Sequence, residues 1–483
     1  MGILIMPTAS PPSREAEPVF EVVRRMWRDR AMPLDVVLQW VTTVFGLRQV
    51  EFEEARGSSP EPGRVAQSRR FPGLAQRFRW SAWRALEPAA MAAFVTSEVL
   101  PYMMSLGESD ARTAHFFREV RVRREESPRV APEDLAALIV AVDALYAGDE
   151  GLPSKVYGEV VDSLNGSVAE MAQHATPPRL RALMIALAGL RAGQRVVDPA
   201  CGTGGLLVDA ARAVGGEALT LRGCEISLRT ARVAWMRLWL AGRADAVIDS
   251  RDALDPSEKG AFGENDRVLC DPPWGSGVEG IGSGRPQSDE EAFLALAVDS
   301  LAPGGRAVVT VPHPLLSRLR ESSLRRKLLR ARALVAVVTL PVGTLAPVTR
   351  VAPVLLVFER REDGAGTSRV WFASVRTRDA KTAELDTEPF LDAWRRYETS
   401  DFREPLGPEG LTRVDSDEAP WCWWVRREAI MDDDSVLDPS RYEPAPPLES
   451  GPEPAEVAAE LLALEARIAD ELRALVEALK DES

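Results

Sequence analysis

Histidine and cysteine are scarce. The 483 residues hold three His and four Cys, and Cys201, Cys224, Cys270 and Cys422 lie too far apart for any CxxC pair. Soft-metal sites draw on clustered thiols and imidazoles, so this supply argues against a metal centre. The cysteines are expected as reduced core thiols of a cytoplasmic protein. Long uncharged runs are lacking too. The longest, Ala333 to Thr349, contains Pro341, Gly343 and Pro347 and makes no continuous helix, so no membrane span is expected. The apolar start, Met1 to Met6, is short and has no basic flank, which argues against a secretory leader.

What is present is ordinary globular material. Hydrophobic residues make up 45% and charged residues 27%, enough to exclude wholesale disorder, and the length suits two to three domains. The net charge of −14 is uneven: residues 431–483 hold 15 acids and 4 bases, −11, which leaves −3 for the 430 residues before them. A near-neutral body with an acidic tail is a weak free-standing nucleic-acid binder, because affinity for phosphate rests on Lys and Arg. If DNA is the substrate, a second subunit is expected to help hold it.

From Pro33 to about Leu145, apolar residues recur at helical spacing (Leu34, Val37, Leu38, Val41; Leu135, Leu138, Ile139, Val142). This predicts a helical N-terminal domain, interrupted by a Gly/Pro/Ser-rich loop at 57–63. From about Gln194 to Phe358, short β-branched runs at 195–198, 221–225, 267–270, 307–311, 333–340 and 353–358 alternate with helical stretches. Such alternation predicts βαβ units and a parallel sheet covered by helices on both faces, with ligands at the carboxyl ends of the strands. A further strand is expected at 370–375, and the Trp-rich stretch 421–424 reads as core. A Pro-rich linker at 439–454 leads to Val457, Leu461, Leu464, Ile468, Leu472, Leu475 and Leu479, spaced by threes and fours. That spacing predicts an amphipathic helix, packed on a partner or back on its own chain.

The sharpest signal is Val196-Val197-Asp198-Pro199-Ala200-Cys201-Gly202-Thr203-Gly204-Gly205. A strand ends in a carboxylate, a Gly-rich turn lets a ligand approach the backbone, and a helix starts. The spacing departs from the dinucleotide GxGxxG, and the Asp suits a ligand carrying an ammonium group while repelling phosphate. Glu225 ends the next strand, where an acid accepts from ribose hydroxyls. Asp252, after the following apolar segment, is placed to accept from an adenine amino group, or else is a solvated loop acid.

The second signal is Val268-Leu269-Cys270-Asp271-Pro272-Pro273-Trp274-Gly275. Two prolines fix the backbone so that the Asp271 carboxylate and the Pro272 carbonyl can both face one amino group, and Trp274 offers a flat face for a base. The Gly/Ser-rich stretch 275–288 reads as a loop beside a base pocket or as plain surface loop. Arg318, Arg320, Arg325, Arg326, Lys327, Arg330 and Arg332 crowd seven bases into 15 residues, a phosphate contact or, more commonly, a solvated helix face.

The DPACGTGG segment followed by DPPW resembles the N6-adenine DNA methyltransferases, and among them the modification subunit of type I restriction-modification systems. Val156-Tyr157-Gly158, Ala175-Thr176-Pro177, the LAPGGR segment from Leu301, the LPVGTLAP segment from Leu340 and Leu437-Asp438-Pro439-Ser440-Arg441-Tyr442 are similar to further landmarks of that family. The similarity runs from about residue 110 to 480. It implies a Rossmann-like α/β methyltransferase domain at 156–362. A helical domain at 1–155 precedes it, and a C-terminal extension and linker at 363–448 and a partner-binding helix at 449–483 follow.

The resemblance implies S-adenosylmethionine as cofactor. Asp198, Pro199, Ala200, Gly202 and Gly204 would surround its methionine part, Glu225 would take the ribose, Asp252 would lie near the adenine, and Thr176 and Pro177 would close the methionine end. It implies Asp271, Pro272, Pro273 and Trp274 as the catalytic segment, acting on a base flipped out of double-stranded DNA. The partners it implies are a specificity subunit and a nuclease or translocase subunit. The family carries Asn where this chain has Asp271, so N4 of cytosine stays open beside N6 of adenine. A methylase-like scaffold without activity is another reading. Methylation of a protein glutamine or of RNA is a third, against which the added helical domain and C-terminal helix speak.

Overall fold

The computed structural model describes residues 12–57, 75–106, 130–167, 176–215, 219–258, 260–274, 277–278, 287–317, 325–326, 328–329, 333–345, 349, 351–361, 368–379, 384–399 and 422–442, with six positions of 461–468. Nine strands form one sheet. They are β1 (Arg195–Asp198), β2 (Thr220–Glu225), β3 (Val247–Ser250), β4 (Asn265–Cys270), β5 (Leu301–Pro312), β6 (Leu334–Thr339), β7 (Pro353–Glu359), β8 (Arg369–Ser374) and β9 (Cys422–Arg426), in the spatial order β9-β8-β6-β7-β5-β4-β1-β2-β3.

Alternation along the strands explains why both faces are covered. Val196, Leu269 and Val308 enter one core, whereas Val197, Val268, Cys270, Ala307 and Val309 enter the other. The first core is closed by α5 (Pro178–Ala188), α6 (Gly205–Ala213), α7 (Leu228–Leu240) and α9 (Glu388–Thr399), and the second by α8 (Asp289–Asp299). A strand buried on both faces is a near-continuous apolar run, which is why these segments were legible as strands.

The expected parallel sheet is found, with antiparallel members at β7 and β9. β1 runs parallel to β2 and β4, and β2–β3, β4–β5 and β6–β8 are parallel pairs, but β7 lies antiparallel between β5 and β6. A parallel pair needs a long crossover. No helix occurs among the described residues between Leu340 and Ala352, so the chain turns back. The Trp-rich stretch is also more than packing: β9 pairs antiparallel with β8, setting Trp423 against Phe372 and Trp424 against Trp371.

The helical layer is built from α1 (Glu17–Arg24), α2 (Leu34–Gly57), α3 (Pro132–Leu145), α4 (Leu152–Ser167) and short turns of helix between Gln76 and Leu106. It shares α7 with the sheet. Ala234 and Leu238 of that helix join the sheet core, while Val233, Met236 and Trp239 join the helical one. Being apolar on two sides, α7 buries even Arg232 and Arg237, and both have partners: Arg232 donates to Gln39 and Thr43 of α2, and Arg237 to Asp162 of α4. The expected boundary at 155/156 falls inside α4, whose Val156, Tyr157, Val160, Val161 and Leu164 all belong to the helical core. That core therefore extends past 155. No described helix is long and apolar enough to cross a membrane.

Candidate active site

Parallel pairing of β3, β2, β1 and β4 sets four strand ends along one edge, with Asp198 level with Gly223 and Glu225 level with Ser250. Two of these strands end in acids, Asp198 and Glu225, and Asp271 follows the last residue of β4. The turn after β1 is possible only with glycine. Gly202 and Gly204 have φ +52° and +78°, left-handed values that side chains disfavour. A Cβ on Gly204 would stand 3.0 Å from Cα and Cβ of Ala234, so the missing side chain lets α6 start against α7. Gly223 of β2 serves the same turn from below: its Cβ would lie 2.8 Å from Sγ of Cys201. Cys201 N–H donates to the Cys224 carbonyl at 2.9 Å, tying the turn to β2.

Asp198 is buried, at 1% exposure, and its Oδ1 accepts from Ala200 N–H at 3.1 Å. Burial holds its carboxyl well above the usual range, and the charges of Asp271 and Glu225 raise it further against the Ala200 hydrogen bond. The three acids are thus close enough to repel. Buried like charges are costly unless a cation joins them. Glu225 Oε1 accepts from Ser227 N–H at 2.8 Å, and Ser227 Oγ in turn caps α7 at Thr230 N–H.

Asp271 keeps a little exposed surface. Burial still pushes its carboxyl up to about 6, against hydrogen bonds from the Thr176 and Thr310 hydroxyls. Pro272 beside it is buried, Pro273 is exposed and Trp274 is half-buried against the sheet core. Trp274 Nε1 is buried without a hydrogen-bond partner among the described residues. Of the other expected residues, Pro199 is buried in the turn, and Pro177 precedes the first residue of α5. Asp252 stands apart. It is exposed past the end of β3, and its Oδ1 accepts from Leu254 N–H at 2.8 Å.

Three residues at this edge were not signalled by any motif. Thr310 lies in the interior of β5, fully buried, where a lone Thr in a β-branched run reads as strand filler. Asn165, from α4, donates to Thr203 Oγ1 at 3.2 Å and so braces the turn from the helical layer. Ile226, next to Glu225, is 69% exposed, an apolar side chain left in water at a strand end that only the fold reveals.

Of the basic run, Arg325 and Arg326 are described, and Arg325 departs from both readings. Arg325 is buried, with Nε donating to the Ser435 carbonyl at 2.9 Å and Nη1 to that of Leu315 at 3.1 Å, so it is an internal brace and contacts no phosphate. Arg326 is exposed and pairs with Asp434. Arg318, Arg320, Lys327, Arg330 and Arg332 lie outside the described residues, as do Ala175, Trp421 and most of the loops at 57–63 and 275–288, of the linker and of the C-terminal helix. The loop at 275–288 has paired feet, Gly277 with Ser288 and Val278 with Gln287. A cavity of about 410 Å³ lies elsewhere, against α4, between Lys155, Asp162, Arg181, Arg212 and Arg237. All four cysteines are buried free thiols. Among the described residues no group of His, Cys, Asp and Glu is arranged to hold a metal.

Comparison with known proteins places this geometry. The chain is 24% identical over 367 residues to the EcoEI methylase subunit of a type I restriction enzyme from Escherichia coli, covering 69% of this chain and 74% of that one. It is 33% identical over 140 residues to a tRNA (guanine(10)-N2)-dimethyltransferase of Methanothermobacter thermautotrophicus, over 29% of this chain and 39% of the relative. The first curated relatives are matched over less than half of their own length. In fold it is similar to a chain from a type I restriction-modification complex, with a TM-score of 0.71 and 24% identity over 98% of this chain and all of that one. The description that matches residues 154–450, well over half of the chain, is N-6 DNA methylase, and it is to the N-6 DNA methylase family that the chain belongs.

Proposed function

We propose that this chain is the methyl-transferring subunit of a type I restriction-modification complex, moving a methyl group from S-adenosylmethionine to the N6 amino group of adenine in DNA. The observation that carries the reading is the meeting of the two motifs. Asp198 and Asp271 end up at neighbouring strand ends, close enough for the charge of Asp271 to raise the Asp198 carboxyl. A donor site and an acceptor site for one methyl group must be adjacent.

The residues fit this cofactor. Three clustered carboxylates suit a ligand carrying ammonium and sulfonium charge. A glycine turn offers backbone at close range, and Glu225 with exposed Ile226 beside it suits a ribose and the flat base attached to it. S-adenosylmethionine supplies an activated methyl group on a positive sulfur. Asp198 and the 199–204 turn would hold its methionine part, Thr176 and Pro177 would close that end, and Asp252 would mark the outer, adenine end.

The chain's own work is on the amine. An exocyclic amino nitrogen is a poor nucleophile because its lone pair is delocalised into the ring. Hydrogen bonds from its two protons to the Asp271 carboxylate and the Pro272 carbonyl favour a pyramidal nitrogen and free that lone pair. A carboxyl titrating at about 6 is ionised at neutral pH yet a better proton acceptor than an ordinary carboxylate. It can therefore take the proton that the methylated nitrogen must lose. Trp274 would stack on the flipped base.

Partners follow from charge. The 430 residues before the acidic tail carry a net charge near −3, and Leu461, Leu464 and Ile468 are about half exposed or more, at 60%, 48% and 50%. That apolar helix is the handle for a specificity subunit, itself accompanied by a nuclease or translocase subunit.

The test is tritium transfer from labelled S-adenosylmethionine to DNA by the chain with its specificity subunit, followed by nucleoside analysis. N6-methyladenine is expected. N4-methylcytosine would change the base assignment, and no cofactor binding by the folded chain would favour a scaffold.

A further inference from the structure

We infer that Arg181 is a positioning residue of the transfer site: it holds the Thr176 peptide so that its hydroxyl meets Asp271, and through Asp162 it makes that contact depend on the docking of α4. The inference rests on the methyl-transfer reading above. Arg181 lies in α5, one turn past Pro177, and is 4% exposed. Its Nη1 donates to the Thr176 carbonyl at 2.8 Å and to Asp162 Oδ1 at 3.1 Å. Nη2 donates to Asp162 Oδ2 at 2.9 Å, and Nε to Asp209 Oδ2 of α6 at 2.6 Å. One planar group thus binds three segments, the fork geometry that suits Arg and not Lys.

The packing is specific to this side chain. A Cβ on Gly205 would stand 2.9 Å from Arg181 Cδ and 3.0 Å from its Nη1, so the second glycine of the GG pair is what admits the guanidinium. Asp162 is shared with Arg237 of α7, whose Nη2 donates to Oδ2 at 2.8 Å. Burial acts to raise the Asp162 carboxyl, and the two guanidinium groups outweigh it, so the pair stays ionised. The far side of the same segment is also held: Arg179 Nη2 donates to the carbonyls of Gly343 and Thr344, both at 3.0 Å. Thr176 is therefore strung between the helical layer and the turn after β6. Its hydroxyl, with that of Thr310, acts against burial to lower the Asp271 carboxyl; among the described residues the titratable groups beside it are Asp198 on β1 and Cys270 on its own strand.

The experiment reads the Asp271 midpoint without catalysis, from the pH dependence of the stability difference between each background and its D271N partner. T176V and R181M should each move that midpoint up by ~0.5–1 pH unit, the worth of about one hydrogen bond. The double variant should move it no further than either alone. The acid limb of kcat/KM should shift with it, and kcat should fall on the order of 10²-fold, the cost of a small misplacement. D162N, which keeps the shape of its site, should give the same upward shift if R181M does not fold. Methyl transfer by the wild type with an unmoved midpoint in folded R181M or D162N overturns the inference. A moved midpoint in a wild-type chain that transfers nothing would instead count against the functional reading.

Discussion

Asp271→Asn separates stability from activity. Burial lifts this carboxyl from an ordinary 3.8 to about 6, roughly two pH units, and at 1.36 kcal/mol per unit the ionised group costs the folded chain at most ~3 kcal/mol. The sign follows from proton counts. Below about pH 3.8 the carboxyl is protonated folded and unfolded, and nothing is lost. Between 3.8 and about 6 the unfolded chain has released the proton and the folded one still holds it, so stability falls as pH rises. Above about 6 the full penalty stands. An amide carries none of it, so D271N at pH 7.5 should melt several degrees above wild type, at ~2–4 °C per kcal/mol, and the gap should close towards pH 4. Methyl transfer should move the opposite way. Wild-type kcat/KM should fall to roughly a tenth of its plateau at pH 5, and D271N should be slow with no acid limb. Melting curves across pH and tritium transfer across pH are the two assays. A D271N gap equal at pH 4.5 and 7.5, or a wild-type rate flat down to pH 5, refutes the reasoning.

Further outcomes follow from the same geometry. Because the Asp198 carboxyl is held well above its usual range, binding a cationic cofactor should ionise it and release protons. Apparent enthalpies should then differ between buffers of unlike ionisation enthalpy, equal values would contradict the assignment, and D198A should abolish the heat altogether. Gly204→Ala places a side chain at φ +78°, 3.0 Å from Ala234. It should cost ~1–3 kcal/mol and remove cofactor binding, read by calorimetry on folded protein. Trp239→Ala empties the join between helical layer and sheet, where Trp239 Nε1 also donates to Glu53. A loss of ~3–5 kcal/mol is expected, and an unchanged melting curve would refute the shared core. Leu461→Glu with Leu464→Glu should leave cofactor binding intact and abolish co-purification with a specificity subunit.

Legibility in the sequence tracked how local the chemistry is. The β1 and β4 segments were readable because their function is carried by the backbone itself: a carboxylate at a strand end, a glycine turn, a proline pair. Each constrains a few consecutive residues, and the same run that carries the chemistry predicts the strand. What stayed hidden reaches the site through packing. Asp162 and Asn165 are ordinary polar positions on an amphipathic helix until α4 docks, and Thr310 is indistinguishable from its neighbours until β5 lies beside β4. Arg325 shows the converse. Its setting in a basic run reads as a solvated helix face or a phosphate contact, but composition does not report burial, and two backbone carbonyls claim it. The antiparallel β7 was missed for a related reason, since apolar alternation fixes that a segment is a strand and leaves its direction to the connection.

The departure at Asp271 from the family's Asn is physically consistent with the rest of the site. An amide at this position accepts one hydrogen bond from the amino group at no electrostatic cost and takes no proton. A carboxylate there is paid for in folding stability, because burial opposes its charge. Two hydroxyls, Thr176 and Thr310, offset part of that cost, and the Thr176 carbonyl is held by Arg181 of α5, itself tied to the helical layer through Asp162. A chain with Asn at 271 would need neither hydroxyl to keep a charge ionised. In this one, T176V should therefore be far more damaging in wild type than in the D271N background. Equal effects in both would mean that Thr176 serves the cofactor end alone and that its contact with Asp271 is incidental.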